Sequence, residues 1–163
     1  MVTLALDQAL KTSGCAVFEN GKLKEYFTFT IPAHKSMEER LALFFKELTS
    51  LHNKYQFDEL VLEDIQLQRN TVTFKHLAYV QSIVLLWCYY NQINYYIYSP
   101  SEWRKILGGK FGRKRTEQKE HAIELVEKKY KVTVDSDSAD AICIGCAHLR
   151  KKDEQTVGFG QKI

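Results

Sequence analysis

The sequence predicts a single α/β domain, a mixed sheet of about five strands with helices on both faces. Three features point there. Asn20-Gly21, set between strand-like runs at 15–18 and 24–30, marks a β-hairpin. Short apolar runs at 2–6, 60–62 and 93–98 have the length of buried strands. Between and after them lie segments with helical spacing of apolar residues. Strands joined partly by a hairpin and partly through helices require a mixed sheet, and both faces of such a sheet must be covered.

Each element follows in order. Residues 2–6 form a strand that ends on Asp7, and 8–14 form a polar turn before the hairpin. Leu41, Phe44, Phe45, Leu48 and Leu51 give 38–52 an amphipathic helical pattern. The strand 60–62 runs directly into Glu63-Asp64, and 72–90 is a long, mostly apolar helix. The strand 93–98 is closed by Ser99-Pro100, after which Gly108, Gly109 and Gly112 indicate a loop. Residues 116–129 form a helix through Ala122, Ile123 and Val126, and a last helix starts near 135–137 and runs to about 150. The domain is expected to span 1–150, with 151–163 as a tail that frays from about 157.

Composition narrows the function classes. With 163 residues, 45% of them hydrophobic and 12% aromatic, the chain can bury a proper core, which argues against wholesale disorder. No run approaches the roughly 20 apolar residues of a membrane span. The opening lacks a basic stretch followed by an apolar one, so a cytoplasmic protein is expected. Cys15, Cys88, Cys143 and Cys146 are then reduced thiols. The CxxC at 143–146 has no second ligand pair and falls in an apolar helical pattern, so it reads as buried thiols rather than a zinc site. The net charge of +3 is too small to name a partner, but its distribution is informative. Arg104, Lys105, Lys110, Arg113, Lys114, Arg115 and Lys119 fall within 104–119 against a single acid, Glu117.

Acids stand where acids are costly unless used. Asp7 and Glu63 each end an apolar strand, and Asp137 and Asp140, three apart at a helix start, share one face. Should those strands be neighbours with the last helix across them, four carboxylates converge. Such a cluster repels itself and raises its own pKa values unless cations are present. Hard divalent ions suit oxygen donors, Mg²⁺ best of all. Two such ions roughly 4 Å apart activate a water and stabilise the leaving oxygen in phosphodiester cleavage. Plainer roles are open for each acid: a turn cap for Asp7, a solvated strand end for Glu63, and dipole partners for Asp137 and Asp140. Asp58, Asp64 and Asp135 have similar claims. Glu63 and Asp64 point to opposite faces, so only one can enter a shared site.

These residues resemble the RuvC family of Holliday-junction resolvases, its phage and mobile-element variants in particular. The run Leu4-Ala-Leu-Asp7 through Gly14-Cys-Ala-Val17 is similar to the family's first motif. Val61-Leu-Glu63-Asp64-Ile65 is similar to the second, and Asp137-Ser-Ala-Asp140-Ala141 to the closing DxxDA. The resemblance runs to about residue 150. It implies a ribonuclease H-like fold, with Asp7, Glu63, Asp137 and Asp140 as catalytic residues and ligands of two Mg²⁺ ions, replaceable by Mn²⁺. It also implies a homodimer that nicks opposed strands of four-way junctions, leaving 5′-phosphates, with forks as further branched substrates. The basic segment would then face the carboxylates and hold phosphates. Arg104 corresponds to one family lysine near the scissile strand, and Lys114 or Arg115 to another. The DNA-binding candidates are therefore Gln66, Arg69, Lys75, Arg104, Lys105, Lys110, Arg113, Lys114 and Arg115. Gln66 departs from the bacterial pattern, which carries an aromatic wedge there, so cleavage directed by branch geometry more than by sequence is expected. Two other functions remain in view: an RNA–DNA hybrid nuclease of the same fold, and a catalytically silent junction-binding protein.

Overall fold

A computed structural model describes residues 1–67, 70–109 and 111–160, with side chains up to 155. Strand β1 (Val2–Asp7) lies at the centre of a five-stranded sheet of order β3-β2-β1-β4-β5. It pairs antiparallel with β2 (Thr12–Glu19) and parallel with β4 (Glu59–Glu63). The edges are β3 (Lys22–Thr30), antiparallel to β2, and β5 (Asn94–Tyr98), parallel to β4. The mixed sheet expected from the sequence is thus present. Asn20 and Gly21 both have positive φ, 51° and 78°, as a tight hairpin between right-twisted strands requires.

Alternation along the strands sorts side chains between two cores. Leu4, Leu6, Cys15, Val17, Leu60 and Leu62 face helices α1 (Met37–Tyr55) and α2 (Thr71–Asn91), which contribute Phe44, Leu48, Val80, Val84 and Trp87. Ala5, Ala16, Phe18 and Val61 face the other side. There they meet α3 (Pro100–Leu107), α4 (Arg115–Tyr130) and α5 (Ser136–Gly160). The approach of α5 is close because its residues are small. A Cβ added at Gly145 would collide with the Phe18 ring and lie 3.0 Å from the Ala5 Cβ.

Two elements differ from expectation. The segment after Pro100 is a helix, α3, capped by the Ser99 hydroxyl and ended by Gly108 at φ 74°. A proline that closes a strand serves equally well at a helix's first position, where no N–H is needed. The helix expected to stop near 150 continues to Gly160. Ion pairs tie this extension to the body: Lys151 to Glu102 at 2.9 Å and Lys152 to Glu59 at 2.9 Å. Cys15, Cys88 and Cys143 are buried, whereas Cys146 is half-exposed; all are free thiols. Among the described residues no helix is long and apolar enough to cross a membrane.

At the amino-terminal ends of β1 and β4 a polar cluster gathers around a buried carboxylate. Glu59, 4% exposed, accepts from the Thr3 hydroxyl (2.8 Å), lies 3.1 Å from His148 Nε2 and accepts from Lys152 Nζ (2.9 Å). The other ring nitrogen of His148 lies 3.0 Å from the Tyr98 hydroxyl. Burial alone would raise the Glu59 carboxyl, but hydrogen bonds from His148, Lys152 and Thr3 outweigh it and hold it at about 2.

Candidate active site

The opposite ends of the same two strands form the site. Asp7 and Glu63 are the last residues of β1 and β4, whose registers align Leu6 with Leu62. By strand parity both acids lie on the face of Ala5 and Val61, beneath α5. Asp64 points the other way and accepts from Gln81 of α2 at 3.4 Å. The start of α5 is set by Asp135, whose carboxylate accepts from the backbone N–H groups of Asp137 and Ser138 and from the Ser138 hydroxyl. Burial pushes Asp135 up, yet those hydrogen bonds prevail and leave it below the usual range. A capping acid so engaged has little left to offer a ligand.

Gly14 brings that helix start onto the sheet. It pairs with Asp7 across β1 and β2, and a Cβ placed on it would collide with the backbone oxygen of Asp137. Any side chain there would lift α5 away. With glycine, Asp137 and Asp140 come down beside Asp7 and Glu63, and all four line one open cleft of about 450 Å³.

The cleft holds four acids and four cations, yet among the described residues only Asp137 of the acids is ion-paired. Burial, then Asp140, Glu63 and Asp137 in turn, push Asp7 well above the ordinary carboxylate range. Burial and Glu63 push Asp140 up to about 6, against the lowering effect of Lys119 and Arg104. Glu63 is raised chiefly by burial, although Trp103 Nε1 donates to its Oε2 at 2.6 Å and Arg104 and Arg115 act to lower it. Asp137 is paired with Lys119 Nζ at 3.3 Å. The acids share the cleft without meeting at one point. Among the described residues, no three acidic, His or Cys side chains already surround one ion's position. Indole and ammonium groups hold two of them in the meantime. An all-oxygen donor set in which Asp7, Glu63 and Asp140 are raised is chemically suited to hard divalent cations.

Of the DNA-binding candidates, Gln66, Arg104, Arg113 and Arg115 line this cleft. Lys75 does not; it is exposed beside the Tyr79 ring at 5.7 Å. Lys105 and Lys114 are exposed and outside the cleft lining, while Arg69 and Lys110 lie outside the described residues. Gln8 and Trp103 are not singled out from sequence, and Lys119 counts in the basic segment without a site role of its own. Gln8, 6% exposed, donates through Nε2 to the Glu63 carbonyl at 3.3 Å, and its Oε1 has no partner. Trp103 offered no local signal, since its partner is 40 residues away. For Lys119 the signal of an inward role was its place on the same helical stripe as Ala122 and Val126.

Comparison with known proteins gives these features a context. The family model of the crossover junction endodeoxyribonuclease RuvC matches residues 3–148. Crossover junction endodeoxyribonuclease RuvC of Clostridioides difficile (strain 630) is 27% identical over 168 residues, covering 99% of each chain. That of Thermomicrobium roseum is 28% identical over 153 residues, covering 92% of this chain and 93% of the relative. Among solved structures, Thermus thermophilus RuvC in complex with a Holliday junction substrate superposes with a TM-score of 0.76 at 16% identity, covering 96% of this chain and 97% of that one. The yeast mitochondrial Holliday junction resolvase gives 0.67 at 13% identity, covering 94% and 80%. The architecture shared with these structures is the ribonuclease H-like fold. A family match that includes Asp7, Glu63, Asp137 and Asp140 and spans all five strands leads to one assignment: the chain belongs to the RuvC family of crossover junction endodeoxyribonucleases.

Proposed function

We propose that this chain is a divalent-metal-dependent endonuclease that nicks opposed strands of four-way DNA junctions and also cuts other branches such as forks. The observation that carries the reading is the single cleft in which Asp7, Glu63, Asp137 and Asp140 meet a rim of Arg104, Arg113 and Arg115. Acids and arginines in one cleft suit a phosphodiester: the guanidinium groups bind its oxygens, and the acids need cations to approach it. Asp7, Glu63, Asp137 and Asp140 would hold Mg²⁺, with Mn²⁺ able to replace it. When bound, such ions supply an activated water and stabilisation of the leaving oxygen, giving a 5′-phosphate end. Trp103 orients the Glu63 carboxylate, and Gly14 keeps Asp137 against the sheet.

A homodimer is part of the proposal. Helix α2 is buried on one side through Val80, Val84 and Trp87, yet presents Tyr79, Leu86 and Tyr90 at 38%, 47% and 70% exposure on the other. An apolar stripe of this kind supports a second copy as its cover. Gln66 is exposed at the cleft and offers no stacking face comparable to an aromatic, which supports selection by branch geometry.

The test is purified protein with Mg²⁺ on a four-way junction, a fork, a linear duplex and an RNA–DNA hybrid. Paired nicks at several positions around a mobile junction, with forks also cut, are expected. Preference for the hybrid would favour ribonuclease action on A-form geometry. Binding without nicks would favour a silent junction-binding protein. A single short consensus at every cut, with forks intact, would overturn the role given to Gln66.

A further inference from the structure

Of the four cations that line the cleft, Lys119 is the one ion-paired with one of its acids among the described residues. Lys119 and Asp137 are each about one-third exposed, with Nζ 3.3 Å from Asp137 Oδ1 and 3.1 Å from the Ser136 hydroxyl. Helix periodicity places Lys119 one turn before Ala122 and two before Val126, the residues through which α4 packs into the second core. An apolar side chain would ordinarily occupy the end of such a stripe. A lysine there carries its ammonium to Asp137. Its charge opposes the rise of both Asp7 and Asp140.

We infer that Lys119 is a built-in counter-ion, which holds the acid cluster together in the metal-free protein and competes with a divalent cation for Asp137. The inference rests on the reading of the four carboxylates as a cation site. A carboxylate oxygen engaged by an ammonium cannot also ligate an ion without bringing two positive centres to about 4 Å, where they repel. A divalent ion on Oδ1 therefore requires Lys119 to release it, and one on Oδ2 alone still meets the repulsion of the nearby ammonium. Divalent affinity is correspondingly weaker than the acids alone would provide, and the metal-free cleft tolerates its own charge.

Mn²⁺ titration of the full, DNA-free chain by calorimetry tests this, with wild type, Lys119→Met, Lys119→Arg and Asp140→Asn compared. Lys119→Met should bind Mn²⁺ about tenfold more tightly, the size expected for one unit charge removed close to a divalent ion in a solvent-screened cleft. Lys119→Arg, which keeps the charge, should match wild type. Without metal, Lys119→Met should melt below wild type, and saturating Mn²⁺ should close that gap. Unchanged or weaker Mn²⁺ binding by Lys119→Met would overturn the inference. If Asp140→Asn loses Mn²⁺ binding while Lys119→Met behaves as wild type, only the role of Lys119 falls. If Asp140→Asn binds Mn²⁺ as wild type does, the cation-site reading falls with it.

Discussion

Glu59 and Glu63 begin and end the same five-residue strand, and strand parity turns both toward α5. Their surroundings are opposite. Glu59 is enclosed with three donors of its own chain, Thr3, Lys152 and His148, and is held at about 2. Glu63 is raised above its ordinary value and opens onto a cleft with Asp7, Asp137 and Asp140. The first carboxylate is complete within the fold and has nothing left to give. The second belongs to a set in which, among the described residues, only Asp137 has an ion pair, and this open set is the one we propose takes cations from outside. Burial of an acid is therefore not what distinguishes a site from a structural cluster; the presence or absence of internal partners is.

The largest change in stability should come from the closed end. Glu59→Ala leaves His148 and Lys152 without their carboxylate, and loss of one partner from a buried pair costs about 3–5 kcal/mol. Denaturant unfolding should report that loss, while nicking per folded molecule stays near wild type. A comparable loss of cleavage at equal folded fraction would show that the two ends are coupled.

A somewhat smaller effect concerns acid dependence, where the two ends should have opposite signs. Glu59 is depressed from 4.5 to about 2, so its contribution is full above pH 4.5 and is lost as pH falls toward 2. Asp140 is raised from 3.8 to about 6, so in metal-free protein it favours folding below 3.8 and that advantage is lost as pH rises through 6. Each effect is on the order of 3 kcal/mol. Glu59→Gln should remove the loss between 4.5 and 2, and Asp140→Asn should remove the decline between 3.8 and 6. Unfolding measured across pH in a chelator would reveal identical profiles if the contrast were wrong.

The smallest effect belongs to the rim. Replacing Arg113, Lys114 and Arg115 together by Ala should weaken junction binding and flatten its salt dependence, by about 0.9 in slope for each phosphate no longer neutralised. Only Arg113 and Arg115 line the cleft, so Lys114→Ala alone should leave the slope unchanged. An unchanged slope for the triple variant, correctly folded, would make the segment a solvated surface.

Much of this is legible in the sequence for identifiable reasons. Acids at the ends of apolar strands, and two more spaced by three residues, are visible because alternation and helical spacing are local. Spacing leaves Glu63 and Asp64 open; the family resemblance points to Glu63, and the fold turns Asp64 toward Gln81. Helix α3 is hidden because Pro100 reads as a terminator, although Ser99, Pro100 and Gly108 form a complete start and stop. The extension of α5 is hidden because Lys151 and Lys152 look solvated until Glu102 and Glu59 are brought beside them. Trp103 is invisible for the same reason. Tertiary partners cannot be read from spacing.

The central claim is tested most directly by nicking of a four-way junction in Mg²⁺ by Asp7→Asn and Asp140→Asn. Each substitution removes one charge and little volume from a cluster that repels itself. Both proteins should fold, bind the junction as well as wild type or better, and leave its strands intact. Wild-type nicking by either would mean that the cleft shared by these four acids is not where the phosphodiester is cut.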